Sequence, residues 1–277
     1  MSETDRPRRA PATDPDSASD ESARIQKMLA RAGLGSRRQI DQWIVDGKVF
    51  INGRLAKPGD RCGIHDRIIV NGHQINLAKR ASAPTRVLLY HKPAGELVSR
   101  RDPEGRPVIF TQLPKLENGR WIAVGRLDLN TQGLLLVTTN GELANRLMHP
   151  SRQFEREYAV RVFGNVTDAL LQKMRCGVQL EDGLARFEAV KPAGGEGANQ
   201  WFHVIVTEGR NRLVRRVWEA QGVTVSRLIR IRFGDMLLPP RLKARTFREL
   251  APDELAQLMR SVGLTEPKTI RTSPARR

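Results

Sequence analysis

The chain of 277 residues holds only two cysteines, Cys62 and Cys176, far apart and with no CxxC pair, so it has no disulfide framework to build on. Its five histidines show no HxH or HxxxH spacing, which removes the usual zinc-ligand patterns. Aromatics make up 5% of the residues, so any core must come from Leu, Ile, Val and Ala. Apolar runs are short, the most obvious being 134–137, against the ~18 residues a membrane-spanning helix needs. The opening MSETDRPRRAP has no apolar segment of the kind a secretory signal carries. These absences lead us to expect a reducing, cytoplasmic setting with no membrane and no metal. The length fits about two domains at ~150 residues each.

What the sequence has in excess is positive charge. Lysine and arginine number 47 against 30 acidic residues, a net +17, which favours polyanionic partners. The charge is also segregated: residues 1–23 carry −3, 24–79 carry +7, 80–208 carry +3, 209–248 carry +9 and 249–277 carry +1. Two basic blocks around a near-neutral middle read as two contact surfaces for a phosphate backbone.

Residues 1–23 are rich in Pro, Ser, Asp and Arg and have almost no large apolar side chain, so a disordered tail is expected there. From Arg24 the pattern changes. Ile25, Met28, Leu29 and Ala32 fall at helical spacing, with Gly33 at the stop. Ser36 and Gln39 form a capping box for a second helix, with Ile40, Trp43 and Ile44 as its stripe and Gly47 as its end. Asn52-Gly53 predicts a hairpin turn, and a strand at 67–70 is followed by Asn71-Gly72. The module spans 24–76, and the polar stretch 77–85 reads as a linker. Arg37 and Arg38 occupy the first turn of a helix, where the dipole disfavours cations and a phosphate would compensate.

Residues 86–262 predict an α+β domain with a mixed sheet, followed by a flexible tail at 263–277. Strands are expected at 87–90, 121–124, 134–138, 157–163, 202–207 and 228–233. Helices are expected at 141–148 after Asn140, 168–175 after Thr167, 213–221 and 253–260.

Two stretches carry family resemblance. RIQKMLARAGLGSRRQIDQWIVDGKVFINGR resembles the RNA-binding module named after ribosomal small-subunit protein S-four. GRLDLNTQGLLLVTTNGELANRLMHP is similar to the signature of the ribosomal RNA pseudouridine synthases, and the likeness continues through EREYAVRVFG, EGRNRLVRRVWEAQG and SRLIRIRFG. It covers nearly all of 24–250 and looks most like the large-subunit branch of type B.

The resemblance implies an isomerase that turns one uridine of large-subunit ribosomal RNA into pseudouridine after flipping it out of the stack. It maps the nucleophile onto Asp128, since a carboxylate can attack either the uracil ring or the anomeric carbon and leave again. Tyr158 would pack against the flipped base and help remove a proton, and Arg215 would be the buried bidentate partner of Asp128. Arg126 would wedge into the vacated stack or touch phosphate, while Arg37, Arg38, Arg210, Arg212, Arg216 and Arg230 would bind RNA. No cofactor is implied, because the isomerisation conserves all atoms. The partner would be a large-subunit RNA stem-loop or a ribosomal precursor particle, met by a monomer.

Two positions depart from the family pattern. Leu213 stands where a polar residue is common, and TTNG replaces an acidic TTDG or NDG. By its residues alone, Asp128 is an ordinary loop aspartate, and a catalytically silent RNA-binding or ribosome-assembly protein of the same fold remains the alternative.

Overall fold

The computed structural model describes residues 22–81 and 83–265. Contacts divide the chain into two compact units, residues 1–83 and 84–277. No helix among the described residues is long and apolar enough to cross a membrane.

In the first unit, helices Ile25–Arg31 and Arg37–Val45 pack on a four-stranded sheet ordered Arg54–Leu55, Val49–Ile51, Ile68–Val70, His73–Ile75. Their shared core holds Ile25, Leu29, Ile40, Ile44, Val49 and Ile68. Ser36 accepts the amide of Gln39 at 3.1 Å and so starts the second helix. Both Asn-Gly pairs form the expected turns, with Asn52 and Gly53 at φ 50° and 83° and Asn71 and Gly72 at φ 51° and 79°.

The segment expected as a linker is in part a helix, Leu77–Ala81. Asn76 caps it by accepting the Lys79 amide at 2.9 Å, and Leu77, 2% exposed, enters the core. The expected N-terminal tail also ends earlier, because Ser22–Arg24 pairs with Arg61–Gly63; residues 1–21 lie outside the described ones. At the other end Leu264 packs against the neighbouring core, and 266–277 lie outside the described residues.

The second unit is built on a nine-stranded mixed sheet. Its main path runs Ala189–Glu196, Asn199–Val206, Arg156–Phe163, Thr224–Phe233, Gln132–Thr138, Val87–Lys92, Phe247–Glu249. Neighbours are antiparallel except at one junction, where Thr224–Phe233 and Gln132–Thr138 run parallel through only two residue pairs, Ile229 with Gln132 and Arg230 with Gly133. Two antiparallel halves therefore meet at a short seam. Gly133 makes the seam possible: at φ 104°, a Cβ there would lie 2.6 Å from the Arg230 amide nitrogen and closer still to its carbonyl oxygen.

The strand beside the seam is buried on both faces. Leu134 and Leu136 face helices Gly141–Met148 and Pro252–Ser261, while Leu135 and Val137 join Tyr90, Ile109 and Trp121. In the other half, helices Asp168–Cys176 and Leu213–Glu219 cover a core around Trp218, Val204 and Val160. The expected caps are made: Asn140 accepts the amides of Glu142 and Leu143, and Thr167 that of Leu170. Strand Ala189–Glu196 was not expected. Pro192 and the register shift between it and Gly195 hide it in sequence, and both are tolerated because the strand lies at the sheet edge.

Candidate active site

The loop 125–131 leads directly into the seam strand. Its main chain is held from two sides by buried cations. Lys92, the last residue of Val87–Lys92 and 0% exposed, aims Nζ at the carbonyls of Asp128 (3.0 Å), Leu129 (3.3 Å) and Thr131 (2.9 Å), and also at Pro93 (3.0 Å). Arg215, 6% exposed, donates Nη2 to the Asn130 carbonyl at 3.1 Å and Nη1 to Val225 at 2.9 Å. A turn bond from the Thr131 amide to the Asp128 carbonyl closes the loop at 3.0 Å.

The Asp128 carboxylate, by contrast, has no hydrogen bond or ion pair among the described residues, and it lines a cleft of about 920 Å³. Both Lys92 and Arg215 feel its charge. The loop is thus held at its backbone while the Asp128 side chain is left open to the cleft, close to two positive charges. The direct Asp128–Arg215 ion pair expected from sequence is not formed. The guanidinium is drawn to backbone carbonyls instead, because burial leaves it no water and those oxygens need donors.

Burial pulls the Lys92 amine down to about 8, opposed by the charges of Glu96 and Asp128. Glu96, also 0% exposed, accepts the Tyr90 hydroxyl at 2.6 Å and meets Arg245 at 2.9 Å. The unfolded chain therefore keeps a proton that folded Lys92 releases from about pH 8 upward. This contribution to stability is present above the ordinary lysine range and is lost as pH falls through about 8. Compared with Lys92→Met, the wild type is expected to gain on the order of 1–2 kcal/mol of unfolding free energy between pH 7.5 and 9.5. Urea denaturation at the two pH values reads this directly, and a flat difference would contradict it.

Cleft walls come from both halves of the sheet. Tyr158 is half-buried, touches the clusters around Trp218 and Tyr90, and has a hydroxyl without a hydrogen-bond partner among the described residues. Arg126 is exposed on the cleft, likewise without a partner there. Arg212 occupies the N-cap position of helix Leu213–Glu219 in a left-handed conformation at φ 49°, makes no capping bond with its side chain, and reaches Glu219 only at 3.8 Å. Leu213, the departure from the family pattern, is 4% exposed and serves the core.

Other expected RNA contacts are engaged internally. Arg210 is tied to Glu208 at 2.7 Å, to Asp182 and to the Leu184 carbonyl. Arg216 forms a two-point pair with Asp182 at 2.8 and 2.9 Å and does not line the cleft. Arg230, 2% exposed, donates to the Leu134 carbonyl at 2.7 Å and lies 5.4 Å from the Phe233 ring centre. The basic block 209–248 is therefore in large part an internal scaffold, with Arg232, Arg245 and Arg248 also paired to Glu157, Glu96 and Glu254. Arg37 and Arg38, in the first unit, are exposed in a helix first turn that contains no acid.

Sequence reasoning missed Lys92 and Arg156. Arg156 donates to the Phe154 and Thr207 carbonyls and sits 5.2 Å from the Phe233 ring centre on the cleft wall. The signal for Lys92 was a charged residue closing the apolar strand before Pro93 and Gly95.

The family described as RNA pseudouridylate synthase matches residues 86–220, and the S4 domain matches residues 23–68. Ribosomal large subunit pseudouridine synthase B of Pasteurella multocida is 54% identical over 262 residues, 93% of this chain and 76% of that protein. Its Escherichia coli namesake is 59% identical over 238 residues, 85% of this chain and 81% of that protein. A crystal structure of a pseudouridylate synthase shares the fold with a TM-score of 0.60 at 24% identity, covering 85% of this chain and 99% of that one.

Proposed function

The chain belongs to the RNA pseudouridine synthase family, and from that membership we propose that it converts a uridine of large-subunit ribosomal RNA to pseudouridine with Asp128 as nucleophile. The observation that carries this reading is the unengaged Asp128 carboxylate on a backbone-clamped loop in the cleft. Free of internal donors, it can attack the flipped nucleotide without first breaking a bond of its own. The charges of Lys92 and Arg215 lie close to the carboxylate and receive it again when the base leaves.

The uracil detaches, rotates and rejoins the ribose through carbon five, so every atom is conserved and no cofactor is required. Tyr158 packs against the flipped base, and its unengaged hydroxyl is available to relay the proton lost from carbon five. Arg126 enters the stack where the uridine was. Lys92 and Arg215 are positioning residues. The protein acts as a cytoplasmic monomer, on the RNA stem-loop or on a precursor particle.

Tritium release from RNA carrying uridine labelled at carbon five tests the activity. Large-subunit RNA is expected to release one equivalent, and small-subunit RNA none. Absence of release from large-subunit RNA and from precursor particles would favour the silent-binder reading.

The S4 domain supplies phosphate contacts in this account, chiefly from Arg37 and Arg38. Replacing both by Ala is expected to leave turnover at saturating RNA unchanged and to lower the log-log salt slope of binding by about 0.7 to 0.9 per lost contact. An unaltered slope would mean that this helix start does not touch RNA.

A further inference from the structure

One pair of arginines beside the cleft has no carboxylate to answer it among the described residues. The Arg100 guanidinium lies 4.6 Å from the centre of the Phe110 ring and donates to the Trp121 carbonyl. Arg120, half-buried, has its Nε shut off from solvent with no hydrogen-bond partner among the described residues. The two are close enough for their like charges to repel, and burial lowers the proton affinity of both. The nearby acids do not compensate, since Asp102 and Glu104 are both paired with Arg106.

The pair sits beside the cleft and does not itself line it. Ser99 and Phe110 line its wall next to Arg100, and the chain from Arg120 runs through Trp121 and Ile122 into the lining residues Ala123 to Arg126. Two guanidinium groups, one stacked on an aromatic ring, with a buried N–H lacking an acceptor, form an environment that is stabilised by an oxyanion with several acceptor sites. With Arg100 exposed and Arg120 half-buried, the two like charges sit side by side within reach of solvent, and an arriving anion relieves their repulsion.

We infer that Arg100 and Arg120 form a phosphate subsite that holds the substrate RNA backbone beside the flipped nucleotide. The inference rests on the proposed RNA substrate and adds a binding element that the basic blocks of the sequence did not reveal. Its role is to fix the strand while the base enters the cleft, so its loss acts on binding and not on the chemical step.

Arg100→Gln and Arg120→Gln are expected to raise KM in the tritium-release assay about tenfold while kcat stays within about twofold. Each is expected to lower the salt slope for large-subunit RNA by about 0.7 to 0.9. Arg100→Lys, which keeps the charge, retains the wild-type slope. Arg186→Gln, an equal charge change at an exposed site, serves as the control and leaves the slope unaltered. A merely structural pair would not move the slope; unchanged slopes in both Gln variants, or an equal fall in the control, would overturn the inference.

Phenylglyoxal labelling of the wild-type protein, read by mass spectrometry, does not depend on variant folding. Large-subunit RNA is expected to protect Arg100 and Arg120, and equal labelling with and without RNA would overturn the subsite. Binding and protection are read without catalysis, so a wild type that binds but makes no pseudouridine would defeat the functional proposal alone.

Discussion

Asp128→Asn is expected to abolish pseudouridine formation while leaving RNA affinity within about tenfold of wild type. The side chain makes no hydrogen bond or ion pair among the described residues, so the nearly isosteric amide strands no partner. The loop keeps its shape because its clamps act on main-chain carbonyls: Lys92 on Asp128, Leu129 and Thr131, and Arg215 on Asn130. What disappears is the proposed nucleophile. Removing a negative charge that faces a polyanion costs no affinity and can tighten binding. Single-turnover tritium release and filter binding separate the two effects. An Asn variant with more than about a tenth of wild-type turnover would remove Asp128 from the chemistry.

Arg215→Ala should lower turnover at saturating RNA by about 100- to 1000-fold, and Arg216→Ala should change it little. These adjacent residues differ in what they hold. Arg215 satisfies two carbonyls, one on the Asp128 loop and one on strand Thr224–Phe233, and the buried Val225 carbonyl alone costs about 1–3 kcal/mol when left unpaired. Arg216 pairs with Asp182, which is 44% exposed, so solvent screens the interaction and its loss leaves the loop untouched. Arg215→Lys should fail to restore activity, because one ammonium cannot reproduce two divergent guanidinium bonds. Equal losses of kcat in the Arg215 and Arg216 variants would contradict the assignment of the loop clamp to Arg215.

Local features were legible in the sequence. The two Asn-Gly turns, the caps at Ser36, Asn140 and Thr167, and the apolar strand after Gly133 each depend on residues a few positions apart. The family motifs also located the loop of Asp128 and the wall residue Tyr158 on one cleft.

Features that depend on distant carbonyls were not legible. Lys92 acts on oxygens 36 to 39 positions away, which no spacing announces. The +9 block at 209–248 read as an RNA surface, whereas Arg210, Arg215, Arg216, Arg230, Arg232 and Arg245 meet acids or carbonyls that lie far away in sequence and are brought near by the fold. Composition likewise hid helix Leu77–Ala81, whose one large apolar residue, Leu77, is enough to dock it once Asn76 supplies the cap.

The central claim is that this cleft isomerises one uridine of large-subunit ribosomal RNA through Asp128. Pseudouridine mapping by carbodiimide modification and primer extension tests it most directly, on ribosomal RNA from a strain lacking this protein and from the same strain supplied with wild type or Asp128→Asn. The account predicts that one large-subunit pseudouridine is missing in the deletion strain, returns with the wild-type chain and stays absent with the Asn variant. An unchanged pseudouridine pattern in the deletion strain, or restoration of the missing site by Asp128→Asn, would contradict it.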